Sequence, residues 1–475
     1  MVAQLALYGW FPATIALFAI FPARRAVMFS AIGAILFLPS GAIDVPGVPG
    51  GWNRYSAFAL SSFVGILLFD SGRLFRIQPR WFDLPIFVIV FAPIVTSVLN
   101  GFGVYDGLSQ ALRQAIFYGF PYFYGRIYVT GASAAKDVAL AIVMGGLLYA
   151  PLSLFEVRMS PQLHYWVYGY QTIRFVLFRR FGGFRPIVFM DSPLMLGMWM
   201  SATSILVVWI AMRCPKERIL GFPLSRWALL PVAALLLGKT MAAITIFLIG
   251  IGLLWASRLF RTTLFVVAIM AGFMSYPILR TTQILERDMV IGVVTPIFPA
   301  PRVASLDYRV KNEDKFIQRA LERPFFGWGG WARNRTDTSG AIDGLWIITF
   351  GKFGFVSLIA LMGLFAAPIS LLLRRVRPRR WGEPAVAPVA ALGVMLAVYW
   401  IDCLSNAFIN PMYIFAMGGL NTLLGTSAIR TLQPPAQKPG EPDEPEVGDQ
   451  PPGPDEAAGA RMADLIGGRR GGLPR

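Results

Sequence analysis

The chain has 475 residues, 56% hydrophobic and 15% charged, with a net charge of +17 and a mean hydropathy of +0.58, values that belong to polytopic membrane proteins rather than soluble domains. The basic residues sit in short loops beside apolar runs and form no basic-aromatic surface that would track a polynucleotide, so no nucleic-acid partner is expected. Only Cys214 and Cys403, and the single histidine His164, are present, which leaves no material for a disulfide framework or a histidine-rich metal site.

In chain order, apolar segments run near 2–21, 26–43, 55–70, 83–99, 113–130, 137–155, 192–212, 227–238, 240–256, 263–279, 344–373, 386–402 and 408–429. Backbone polar groups must be satisfied inside lipid, and long continuous apolar runs do this as helices, predicting an all-α transmembrane bundle of about 12–14 spans. The first segment lacks a basic leader and a small-residue cleavage site and reads as a retained helix. The segment 227–238 is short for a crossing and predicts a tilted, broken or re-entrant helix. Basic residues follow every second span: Arg24 and Arg25, then Arg73, Arg76 and Arg80, then Lys136, then Arg213, Lys216, Arg218 and Arg226, then Arg258 and Arg261, then Arg374 to Arg380. The positive-inside rule makes these loops cytoplasmic. Residues 431–475, rich in Pro, Gly, Glu and Asp, are expected to form a disordered cytoplasmic tail behind a membrane domain of 1–430.

Two expected outward loops break the pattern. The loop 156–191 carries Arg158, Arg174, Arg179, Arg180 and Arg185, and the large, partly helical loop 280–342 carries Arg302, Arg309, Lys311, Lys315, Arg319, Arg323, Arg333 and Arg335. An arginine fork binds phosphate oxygens and stays charged at any working pH. A set of such forks at a membrane boundary suits an anionic amphiphile such as a polyprenyl diphosphate-linked glycan, whose sugar transfer develops charge on the departing diphosphate. Any one of these arginines taken alone reads first as an anchor to lipid headgroups or a partner of Glu313, Asp314 and Glu322, whereas the set as a whole points to the anionic ligand.

Lys239, in Leu237-Gly238-Lys239-Thr240, either snorkels to the interface or is presented to an anionic group by a broken helix. Residues 307–322 predict a helix with Phe316 and Leu321 turned inward and Pro324 as its stop. In Arg323-Pro324-Phe325-Phe326-Gly327-Trp328-Gly329-Gly330-Trp331 the glycines permit a close-approach turn. Trp328 and Trp331 serve either as interfacial belt residues or as flat faces for a sugar ring. Asp343, ahead of Gly344-Leu345-Trp346, is suited to cap the eleventh span, to act as general base toward an acceptor hydroxyl, or both.

Four of these pieces, in this order, resemble the O-antigen ligase/polymerase superfamily of bacterial envelope glycosyltransferases, over residues 110–375. They are Gly183-Phe184-Arg185-Pro186 through Ser192-Pro193-Leu194-Met195-Leu196-Gly197, Gly238-Lys239-Thr240 where the family has Ser-Arg-Gly, Arg309 with the Pro324–Gly329 turn, and Asp343 through Gly354 at the spacing of the family's His-Asn signature and following glycine. The resemblance implies a metal-independent, inverting transfer without cofactor, from an undecaprenyl diphosphate-linked donor at the periplasmic face of the inner membrane. Membrane lipid and other polysaccharide assembly proteins would be further partners. Carried over, Lys239, Arg309 and Arg185 bind diphosphate, and Asp343 and Arg309 are catalytic; on the reading of the residues themselves, Trp328 and Trp331 are expected to shape the sugar site. Lysine for arginine and aspartate for histidine depart from the ligase pattern and favour a polymerase of surface or exopolysaccharide units. The alternatives are a ligase passing a finished glycan to a lipid or protein, and a transporter or flippase of a lipid-linked glycan.

Overall fold

A computed structural model describes residues 1–180, 182–219, 221–296, 299–335 and 343–433. The expected tail lies outside the described residues from 434 onward, as do 336–342 of the expected 280–342 loop. The chain begins with α1 (Val2–Ile20), α2 (Ala23–Phe37), α3 (Arg54–Phe69), the single turn α4 (Ser71–Leu74) and α5 (Leu84–Leu99). A helix with an internal π turn follows, α6 (Gly103–Gln114) leading into α7 (Phe120–Tyr128), then α8 (Ala132–Met159) and the short α9 (Leu163–Tyr168). The hairpin β1 (Arg179–Arg180) and β2 (Gly183–Phe184) leads into α10 (Pro193–Arg213), and a second hairpin, β3 (Arg218–Ile219) and β4 (Phe222–Pro223), leads into α11 (Leu224–Leu237). The chain continues with α12 (Met241–Leu259), α13 (Leu264–Thr281), α14 (Arg287–Val294), α15 (Ala300–Leu321), α16 (Leu345–Arg375), α17 (Ala387–Ser405) and α18 (Pro411–Gly425).

The architecture is an all-α bundle, with two two-residue hairpins as the only sheets among the described residues. Eight of the described helices are long and apolar enough to cross a membrane, and two more, α3 and α11, are apolar but shorter. This is fewer full-length spans than the 12–14 expected. Hydropathy reads through non-helical flanks: α2 stops at Phe37 because Leu38 is extended, and α18 starts only at Pro411, although the apolar runs extend to 43 and from 408. The expected short segment 227–238 is α11, which runs unbroken through Pro231 and ends at the turn Gly238–Thr240. α10 and α17 form the centre, with 83% and 89% of their most apolar windows buried. α10 packs against α8, α11, α12 and α17. Both cysteines are free and buried.

The expected 307–322 helix is α15, which starts earlier, directly behind Pro299. Its inward face carries Val310, Phe316, Ile317 and Ala320, all buried, with Leu321 half-buried against the core. That spacing is one stripe of a 3.6-residue helix.

α16 is broken in its first half. Gly354 has φ 71° and ψ −171°, outside any helical region. The lost intrahelical bonds are replaced by the Pro324–Gly329 turn, which docks on the break. Phe355 N–H donates to Pro324 O at 2.7 Å, Trp328 N–H to Gly351 O at 3.0 Å and Gly329 N–H to Lys352 O at 2.8 Å. Buried backbone groups must find such partners. A Cβ on Gly354 would sit 2.1 Å from Phe325 O, and one on Gly327 2.5 Å from Lys352 C. The far side of the turn is held by Thr96 Oγ1 donating to Phe326 O at 2.7 Å and Asn100 Nδ2 to Gly327 O at 3.0 Å. The glycine-rich motif is therefore a backbone splice between α5, α15 and α16.

Candidate functional site

α15 forms a wall of two neighbouring cavities. The first, about 220 Å³, is lined by Arg180, Arg185, Lys239, Thr240, Ser305 and Arg309 with Ser405 and Asn406 from the end of α17. The second, about 110 Å³, is lined by Tyr276, Arg309, Val310, Glu313, Phe316 and Asp343. Leu306, Arg309 and Ser405 belong to both. Four cationic side chains, and no carboxylate among the described residues, line the first cavity. Its volume lies below the ~300–1,000 Å³ of pockets for drug-sized ligands, a size for a small anionic group rather than an oligosaccharide.

Each cation is delivered by a different device. Arg180 and Arg185 flank the β1–β2 hairpin, where Arg180 pairs with Gly183 and Arg185 N–H donates to Phe178 O at 2.8 Å. The segment behind the hairpin is tied down by Glu156, fully buried near the end of α8. Its carboxylate accepts from Ile187 N–H at 2.8 Å, Val188 N–H at 2.7 Å and Leu163 N–H at 3.0 Å. These bonds hold Val188 at φ 55°, a conformation that a β-branched residue otherwise avoids. Buried Arg54 adds a bond to Phe189 O at 2.8 Å and lies 3.5 Å from Asp191. The histidine is used structurally: His164, also buried, lies within hydrogen-bond reach of Ser40 Oγ at 3.1 Å and Tyr170 O at 2.9 Å.

Lys239 sits in the turn between α11 and α12 at φ 56°, where a side chain is disfavoured by roughly 1 kcal/mol. The turn packs on α10 at Gly197, whose added Cβ would lie 2.8 Å from Thr240 Cγ2. The lysine reaches back over the hairpin, and a Cβ on Gly183 would lie 2.1 Å from Nζ. Gly183 and Gly197 are thus small because the lysine turn occupies the space beside them.

Arg309 faces Asp343, with Nε 3.6 Å from Oδ2 and side chains 42% and 41% exposed. The expectation that Asp343 caps the eleventh span is corrected: the N-cap of α16 is Gly344, and no side chain bonds to it. Leu345 N–H at that end is taken by Asn406 O at 3.2 Å, so the Asp343 carboxylate is turned to the arginine. Of the acids expected to pair with these arginines, Asp314 and Glu322 do so away from Arg309, while Glu313 lines a cavity with it. Arg280 holds Asp314 at 2.5 Å, Arg287 holds Asp307 through two bonds of 2.7 and 2.9 Å, and Arg319 holds Glu322. Arg333 is clamped by Asp106 at 2.9 and 3.0 Å.

Glu313 is the second carboxylate of the smaller cavity. It accepts from Tyr276 Oη at 2.9 Å and lies 3.8 Å from Arg280. Burial pushes its carboxyl up to about 7, with Arg280 and the Tyr276 hydroxyl pulling the other way. A carboxyl poised there suits proton transfer at neutral pH.

The structure brings together Arg185, Lys239, Arg309 and Asp343. It does not bring Trp328 or Trp331 to either cavity. Trp328 lies under the guanidinium of Arg319 at 3.3 Å and of Arg323 at 4.2 Å, and its Nε1 donates to Arg319 O at 2.7 Å. Trp331 donates to Asp106 at 3.0 Å and faces Arg113 at 5.4 Å, lining a separate hollow with Pro46, Tyr105 and Leu108. Sequence reasoning counted Arg180 only within the arginine set of the 156–191 loop and Glu313 only as an arginine partner, and picked neither as a site residue. The signal for Glu313 was its i,i+4 spacing from Arg309, which puts both on one face of α15. Nothing set Arg180 apart from its neighbours Arg174 and Arg179, because a two-residue hairpin leaves no period to read.

Among the described residues no group of three or more His, Cys, Asp or Glu side chains is arranged to hold a metal ion. No family model matches the chain, and no curated protein matches it significantly.

Proposed function

We propose that the protein is an inner-membrane glycan polymerase of the O-antigen ligase/polymerase type, with its site on the periplasmic face and its C-terminus in the cytoplasm. It transfers the glycan of an undecaprenyl diphosphate-linked donor onto a hydroxyl of a second lipid-linked unit. The carrying observation is the meeting of Arg180, Arg185, Lys239 and Arg309 around one small cavity that shares Arg309 with a cavity holding Asp343 and Glu313. The cations receive the diphosphate and stabilise the charge that grows on it as the anomeric C–O bond breaks. The acceptor oxygen forms the new bond from the opposite face of the sugar, with inversion. Its proton goes to Glu313, the less exposed of the two carboxylates, while Asp343 orients Arg309 between the two groups. Side-chain cations supply the charge that a bound metal provides elsewhere, so activity is expected to survive chelators.

The test is reconstitution of the purified chain in liposomes with a lipid-linked oligosaccharide, following glycan length. Elongation by the wild type, falling at least about 100-fold in Arg309→Ala, supports the proposal. If the oligosaccharide crosses the bilayer and never lengthens, transport replaces it. If single finished chains pass to another acceptor without repeat addition, ligation replaces it.

A further inference from the structure

A second cationic cleft, unconnected with the residues above, opens where the loop after α4 meets α7 and α18. Its volume is about 410 Å³, and its lining includes Arg73, Arg76, Arg80, Arg126, Thr130 and Thr426. The floor is rigid. Arg126, buried, donates to Thr422 Oγ1 at 2.9 Å, Gln78 O at 2.8 Å and Asp83 Oδ2 at 2.9 Å. Asp83 has no exposed surface and also accepts from Tyr122 Oη at 2.8 Å, itself held by Asn421 at 3.0 Å. A buried network with this many bonds fixes geometry rather than leaving a collapsible surface.

Charge around the cleft does not balance. Asp83 neutralises Arg126, and Asp70 lies 3.2 Å from Arg73. Arg76 and Arg80 have no ion-pair partner among the described residues, and both are exposed at the rim. Two guanidinium forks without an ion-pair partner, above a floor that the neutralised Arg126 holds rigid, with hydroxyl-bearing Thr130 and Thr426 beside them, make a receptor for tetrahedral oxyanions. The volume falls within the ~300–1,000 Å³ range of ligand sites. We propose that this cleft is a second binding site for a phosphate-bearing anion, held by Arg76 and Arg80 against the Arg126 floor. On the positive-inside reading it opens to the cytoplasm, where the phosphate is either a lipid headgroup or a soluble diphosphate.

The experiment follows backbone hydrogen exchange in residues 70–83 of the full chain in nanodiscs, which reads this cleft separately from the Arg309 cavity. One arm adds inorganic pyrophosphate to protein in phosphatidylcholine; the other replaces phosphatidylcholine by phosphatidylglycerol without pyrophosphate. Exchange is expected to slow by about threefold or more in at least one arm, and the responding arm identifies the source. The double variant Arg76→Ala/Arg80→Ala is expected to lose that response. It leaves the Arg80 N–H to Asp83 bond of 2.8 Å intact, so the loop keeps its anchor. No slowing in either arm, or equal slowing in the double variant, overturns the proposal.

Discussion

Lys239 shows how much one backbone angle reveals. Its left-handed φ of 56° would be relaxed by glycine, by about 1 kcal/mol, so stability alone would favour Lys239→Gly. That substitution is expected to raise or preserve the melting temperature while lowering glycan transfer roughly 100-fold, with Lys239→Arg retaining more activity than Lys239→Ala. An unchanged rate in the glycine variant would make the lysine a mere interface anchor. Glu313 makes the second prediction. Burial raises its carboxyl to about 7, so the protonated form is favoured in the folded state and the stability this provides is present at acid pH and lost as pH rises through 7. Catalysis runs the other way, since only the carboxylate accepts a proton. The groups facing Glu313 are Tyr276 and Arg280 of α13, Asp314 and Arg309 of α15, and Asp343. The rate is expected to climb with pH through about 7, with Glu313→Gln flattening that limb and Glu313→Asp displacing it. A limb that persists in Glu313→Gln would move the base to Asp343.

At the scale of elements, the break in α16 and the turn that fills it form one unit. Gly354→Ala puts a Cβ 2.1 Å from Phe325 O at a positive φ, so it is expected to destabilise by more than about 3 kcal/mol, seen as loss of folded protein on size exclusion. Gly272 of α13 is the control: a Cβ there meets nothing within 4 Å, and Gly272→Ala is expected to be neutral or stabilising by up to about 1 kcal/mol. Equal behaviour of the two variants would remove the structural role of the break. The motif's glycines and Pro324 were legible as a turn from the sequence. Its docking site was not, because the partner backbone lies some 25 residues later and nothing in the Gly354 neighbourhood marks a broken helix in an otherwise strong apolar run.

At the scale of the whole molecule, the two cationic cavities belong to loops that the positive-inside pattern assigns to opposite faces. In a Cys214→Ser/Cys403→Ser background, Lys311→Cys is expected to be labelled by an impermeant maleimide in intact spheroplasts, and Arg76→Cys only after permeabilisation. Labelling of both from one side would overturn the topology. The sequence alone determined that this is a helical, membrane-suited bundle, because a mean hydropathy of +0.58 and long apolar runs leave the backbone no other way to satisfy its polar groups in lipid. It also singled out Arg185, Lys239, Arg309 and Asp343, since charges beside apolar helices stand out by their solvation cost. What only the tertiary structure decided was their company. Arg180 and Glu313 joined them, Trp328 and Trp331 were kept away by Arg319, Arg323 and Asp106, and the cap expected of Asp343 went instead to Gly344. Proximity across a fold depends on how α15, the hairpin and the α11–α12 turn pack together, and no local period or motif encodes contacts between segments so far apart in the chain.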